Sequence, residues 1–135
     1  MAIFSRLNKY SDFGLLVLRI GLGTMMVLHG YPKLIKGPET WIKLGKAMEN
    51  FGVSFYPLGW GLAATLTELL GGILMVIGLG FRLACLLLLF VMIVATTAQL
   101  SRGETISSTT HTIELASVFF GLLFVGPGRF SLDKS

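Results

Sequence analysis

The sequence predicts an all-α, polytopic membrane protein: a four-helix transmembrane bundle with a short interfacial amphipathic helix between spans one and two. Three observations carry the prediction. Of the 135 residues 53% are hydrophobic and only 13% charged, with a mean hydropathy of +0.78, whereas soluble domains carry about a quarter charged residues. The apolar residues fall into four long runs, as bilayer crossing requires. Within those runs they are continuous rather than alternating, which favours helices over a barrel as the way to satisfy the backbone in lipid. A chain of this length is expected to form one domain over residues 1–135, with spans at about 12–34, 57–79, 82–101 and 108–126.

The first run, Phe13 to Leu34, is interrupted by Arg19 and His29. Arg6 and Lys9 ahead of it resemble the start of a signal peptide. Arg19 breaks the apolar stretch, though, and His29-Gly-Tyr-Pro-Lys is no small-residue cleavage site, so an uncleaved span is expected. Gly37-Pro38 ends this helix, and Pro38 suits the first turn of another. Trp41, Leu44, Met48 and Phe51 then recur at three- and four-residue spacing, with Lys43, Lys46 and Glu49 between them, which predicts an interfacial helix stopped by Gly52. The second span, Pro57 to Leu79, would be roughly 34 Å long as a helix. Gly78-Leu-Gly80 leaves room only for a tight turn into the third span, Arg82 to Leu100. The fourth is shorter, with polar Ser107 to Thr112 ahead of apolar Ile113 to Val125, and Gly126-Pro-Gly128 ends it.

Several function classes fall away. Cys85 stands alone in an apolar run, which excludes a disulfide scaffold, a structural zinc finger and an iron–sulfur cluster, and makes it a buried filler. The net charge of +4 is scattered rather than clustered, so no nucleic-acid partner is expected. Four spans place both termini on one side. Basic residues do not orient them: Arg6, Lys9, Arg82, Arg129 and Lys134 on the terminal side balance Lys33, Lys36, Lys43, Lys46 and Arg102 on the side of the Lys33–Phe55 loop. We take the termini as cytoplasmic.

Ionisable groups inside spans are costly and usually face a bundle interior. Here His29, Thr96, Gln99, His111 and Glu114 all lie toward the loop side, and Glu68 lies near mid-depth. Helical spacing groups them: Arg19, Gly23, Met26 and Gly30 on the first span, Thr65, Glu68, Gly72 and Met75 on the second, His111, Glu114, Ser117 and Gly121 on the fourth. Packing these stripes together predicts a polar pocket that opens on the loop side, with small residues letting the helices approach. Arg19 and Glu68 are expected to form a deep ion pair, either structural or keeping Glu68 ionised for a proton path or ligand site.

Leu18-Arg19-Ile20-Gly21, His29-Gly30 and Lys33 resemble the first span of the DoxX family. The resemblance continues through Glu68-Leu-Leu-Gly71-Gly72, Gly78-Leu-Gly-Phe-Arg82, Glu114 and the ending Gly126-Pro-Gly-Arg129-Phe-Ser-Leu-Asp133. It implies a small bacterial inner-membrane protein of four helices, of a kind commonly labelled oxidoreductase. DoxD-type relatives belong to systems that pass electrons from sulfur compounds to quinone.

The residues themselves carry no Cys-x-x-Cys, no dinucleotide fingerprint and no haem-attachment motif, so no redox centre of the chain's own is evident. Redox chemistry would then come from a bound quinone and a soluble or membrane oxidoreductase partner. His29, His111 or Gln99 would donate to the quinone oxygens, Glu68 or Glu114 would relay protons, and Phe119, Phe120 and Trp60 would line the slot. Other readings stay open: a noncatalytic scaffold or assembly factor, a homo-oligomer, a b-type haem between His29 and His111, or a metal on His29, His111 and Glu114.

Overall fold

The structure, a computed structural model, describes residues 6, 7 and 9–133, residue 108 by its backbone alone; Lys134, one of the terminal-side cations, lies outside the described residues. The described residues form five α-helices: α1 (Ser11–Lys36), α2 (Pro38–Gly45), α3 (Pro57–Ile77), α4 (Phe81–Ser101) and α5 (Thr110–Val125). A 3₁₀ segment, Lys46–Phe51, continues α2, and another, Ser107–Thr109, leads into α5.

α1, α3 and α4 are long and apolar enough to span a membrane, and no more than a third of each span is buried within the protein. The remainder faces outward through residues such as Leu28, Leu70, Leu83 and Phe90, which are 53–60% exposed. Apolar surface on that scale needs lipid rather than water. The protein is a multi-pass helical membrane protein. α5 has 16 residues, or roughly 24 Å, and its 3₁₀ lead-in adds roughly 6 Å, which together match a bilayer core of about 30 Å.

Small residues fix how α1 meets α3. A Cβ added at Gly23 would lie 2.5 Å from the Gly72 carbonyl oxygen, and one added at Gly72 would lie 2.6 Å from that of Gly23. Two turns further along α1, a Cβ at Gly30 would meet the Leu69 nitrogen at 2.8 Å. Two antiparallel helices in direct backbone contact result, packed through small residues as lipid-embedded helices commonly are. α2 lies across the start of α3 through an equally close contact of Gly45 and Gly61 with opposing carbonyls. Its α-helix ends at Gly45, six residues earlier than the amphipathic pattern predicts, and the chain tightens into the 3₁₀ segment that Gly52 (φ +79°) terminates.

Next along the chain, α3 turns into α4 and α4 packs on α5. The circuit is not closed by backbone: no Cα of α1 lies within 8 Å of a Cα of α5. Side chains bridge that seam, because Met26 of α1 shares one buried cluster with Met75 of α3, with Phe81, Cys85, Leu88 and Met92 of α4, and with Phe119 and Leu122 of α5.

Candidate functional site

The bundle has two polar ends, built differently. At the terminal end, buried Arg19 donates from Nη1 to the Pro127 carbonyl at 3.1 Å and from Nη2 to the Val76 carbonyl at 3.2 Å. The segment after α5 folds back over this end. Leu132 and Asp133 donate their N–H groups to the Ile77 and Gly78 carbonyls. The Asp133 carboxylate in turn accepts from the backbone N–H groups of Gly80 (2.7 Å) and Phe81 (2.8 Å), the open donors at the start of α4. Gly78 makes the fit feasible: it sits at φ +74°, and a Cβ there would lie 2.3 Å from Ser131. Asp12 accepts from the Arg129 N–H at 3.1 Å, which ties the start of α1 to the same segment and sets the two on one face. Asp133→Ala is expected to cost about 1–2 kcal/mol, the worth of a helix N-cap, read as a lower melting temperature in detergent. A melting temperature equal to wild type would show that the cap carries no stability.

Two groups expected to pair are separated. Arg19 does not reach Glu68, because the Gly23–Gly72 contact sets the register and puts Arg19 level with Val76. Glu68 then lies eight residues along α3, or roughly 12 Å. Its partner is Lys33, from the last turns of α1: Nζ lies 3.1 Å from Oε1 and 3.0 Å from Oε2. The Glu68 side chain is 6% exposed and that of Lys33 31%. Trp41 of α2 donates from Nε1 to the Lys33 carbonyl at 3.1 Å, which holds α2 over the ion pair.

The loop-side groups of α4 and α5 form a hydrogen-bonded cluster. Thr96 Oγ1 lies 2.8 Å from Thr112 Oγ1, which lies 3.2 Å from Gln99 Oε1. Thr112, buried and absent from the predicted set, is the hub of this cluster. Glu114, Ser117 and Gly121 face outward rather than into a pocket. The inner face of α5 is Thr112, Phe119 and Leu122, the residues of this helix that are buried. Phe119 is a core residue, while Phe120 and Trp60 are exposed.

His29 and His111 do come together. Their rings lie 5.6 Å apart between centroids and are inclined at 51°, and they bridge α1 and α5 where the backbones stay apart. Both imidazoles are exposed, and Glu114 lies one turn along α5. Among the described residues, no group of three or more His, Cys, Asp or Glu side chains is placed to hold a metal ion. An apolar groove of about 240 Å³ lies elsewhere, on the outer α3–α4 face between Leu66, Leu70, Leu83 and Leu87.

Comparison with curated proteins and with solved structures found no match. A family model does match, over residues 14–100. That stretch runs from the start of α1 to the end of α4 and takes in Arg19, the Gly23–Gly72 contact, His29, the Lys33–Glu68 pair and the Gly78–Gly80 turn. With more than half of its length matched, the chain belongs to the DoxX family.

Proposed function

We propose that this DoxX-family membrane protein is a redox component that binds a quinone, or a similar small redox-active molecule, at the loop-side end of the α1–α5 seam and works with a partner oxidoreductase. The His29–His111 pair is the observation that carries the reading. Two imidazoles from two spans meet, exposed, at a gap in the helix circuit. Such groups are costly in a membrane unless they are satisfied or used. A flat apolar ligand with hydrogen-bonding oxygens fits that combination, since each ring can present an N–H to an oxygen while the seam admits the rest from the bilayer.

When bound, a quinone would supply the two-electron chemistry that this chain's side chains lack. The imidazoles would orient it and pass protons to and from its oxygens, and Glu114 would accept a proton one turn further along α5. Glu68 and Gln99 would enter only by exchanging their present partners, Lys33 and Thr112. We place the protein in the bacterial cytoplasmic membrane with both termini cytoplasmic, as one domain.

A second reading, a noncatalytic scaffold or assembly factor, is favoured by a different observation. Arg19, Glu68 and Gln99 all have partners within the protein that account for them structurally. Thermal unfolding with a soluble short-tail quinone separates the two. A ligand at a hundred times its Kd stabilises the folded state by about 2.7 kcal/mol, so the wild type should melt at a higher temperature. His29→Ala and His111→Ala should fold yet lose most of that shift. If quinone leaves all three unmoved, the scaffold reading stands in its place.

A further inference from the structure

We propose that the terminal face of the bundle is a docking surface for anionic phospholipid headgroups, formed by Arg6, Lys9, Arg82 and Arg129. Counted along the chain, the two faces look equally basic, but the structure makes them unequal. At the loop side Lys33 is neutralised by Glu68 and Arg102 by Glu104, and Lys36, Lys43 and Lys46 share their surface with two further exposed carboxylates, Glu39 and Glu49. At the terminal face both carboxylates among the described residues are engaged by the protein's own backbone: Asp12 by the Arg129 N–H, Asp133 by the start of α4. The four cations there are exposed, and among the described residues none has a carboxylate within salt-bridge distance.

They are also gathered by the fold. The segment 126–129 is the meeting point. Arg82 donates from Nε to the Leu123 carbonyl, and its guanidinium lies against Gly126. Arg129 is tied by its N–H to Asp12, and Lys9 and Arg6 lie three and six residues before Asp12 in the sequence. Lys9 sits 5.1 Å over the Tyr10 ring and Arg129 5.3 Å over that of Phe130. Both rings are about half exposed, which combines aromatic rings with cations at one level, as membrane interfaces do. A cation beside an anionic leaflet gains electrostatic attraction that a zwitterionic leaflet does not offer. The occupant that fits is the phosphate of an anionic lipid whose chains lie along the apolar walls of the bundle.

The test uses the intact chain in nanodiscs containing phosphatidylglycerol and phosphatidylcholine, extracted into mild detergent and weighed by native mass spectrometry. Wild type should retain phosphatidylglycerol preferentially. Lys9→Gln/Arg129→Gln removes two cations whose side chains hydrogen-bond to nothing else among the described residues. It should lower that preference roughly 25-fold, about fivefold per cation, with Arg82→Gln lowering it further. Lys43→Gln/Lys46→Gln on the opposite face should leave the preference unchanged. The proposal is overturned if wild type shows no preference, if the loop-side pair lowers it equally, or if inorganic phosphate displaces the bound lipid, which would mark a small-anion site. Because no quinone is present, the outcome is independent of the redox reading.

Discussion

Gly61→Ala should be among the most damaging single-methyl changes in this protein. A Cβ at Gly61 would lie 1.5 Å from the Trp41 carbonyl oxygen and 2.4 Å from its carbon. Both are backbone atoms of α2, so no rotamer relieves the clash and α2 must move as a body. Overpacking typically costs 1–3 kcal/mol, and a backbone obstacle places this variant at about 3 kcal/mol or more. Moving α2 also breaks the Trp41–Lys33 hydrogen bond and uncovers the ion pair beneath it. The expected result is a large fall in melting temperature in detergent, together with a red shift in Trp41 emission as its half-buried ring meets water. Gly121→Ala is the matched control, because its Cβ would meet nothing within 4 Å. Equal melting temperatures for the two variants would refute the close α2–α3 contact.

The contrast between those glycines marks what the sequence could and could not reveal. In α1, Arg19, Gly23, Met26 and Gly30 stand out against large aliphatic neighbours, and they are the helix's buried residues. In α3, Thr65, Glu68, Gly72 and Met75 are buried for the same reason, with Gly61 and Gly71 beside them. A polar or small residue in an apolar run has one economical place, the helix interface, so periodicity locates it. In α5 the rule fails: the stripe His111, Glu114, Ser117 and Gly121 stands out equally in the sequence yet is exposed, and the buried face is Thr112, Phe119 and Leu122.

Register is a second limit. Depths counted from helix ends place Arg19 near Glu68, but the Gly23–Gly72 contact slides the helices so that Lys33 takes that position. The Asp133 cap on α4 joins groups 53 residues apart, and no local pattern announces it. The two histidines are the part of the candidate site that sequence and structure place together, because each is a conspicuous polar group at a similar depth of its own span.

Lys33→Met should destabilise the protein far more than Glu68→Gln, although both break the same ion pair. The two partners differ in access to water. Glu68 is 6% exposed and takes both of its close contacts from Lys33 Nζ, whereas Lys33 is 31% exposed near the loop-side end of α1. Removing the lysine strands a buried carboxylate, for which the penalty is about 3–5 kcal/mol. Removing the carboxylate's charge leaves a lysine that can extend to the loop-side surface, and glutamine still offers its amide oxygen, so the cost should stay near 1 kcal/mol. The double variant should recover most of the loss, since the stranded charge is gone, giving a coupling of about 2 kcal/mol or more between the sites. Unfolding of the four proteins in one detergent measures all three quantities. The same set bears on the proposed ligand site: if Glu68 serves only to hold α1 against α3, Glu68→Gln keeps the quinone-induced shift that His29→Ala loses. A Glu68→Gln protein that is as unstable as Lys33→Met would mean that the buried partner, not its access to water, governs the energetics.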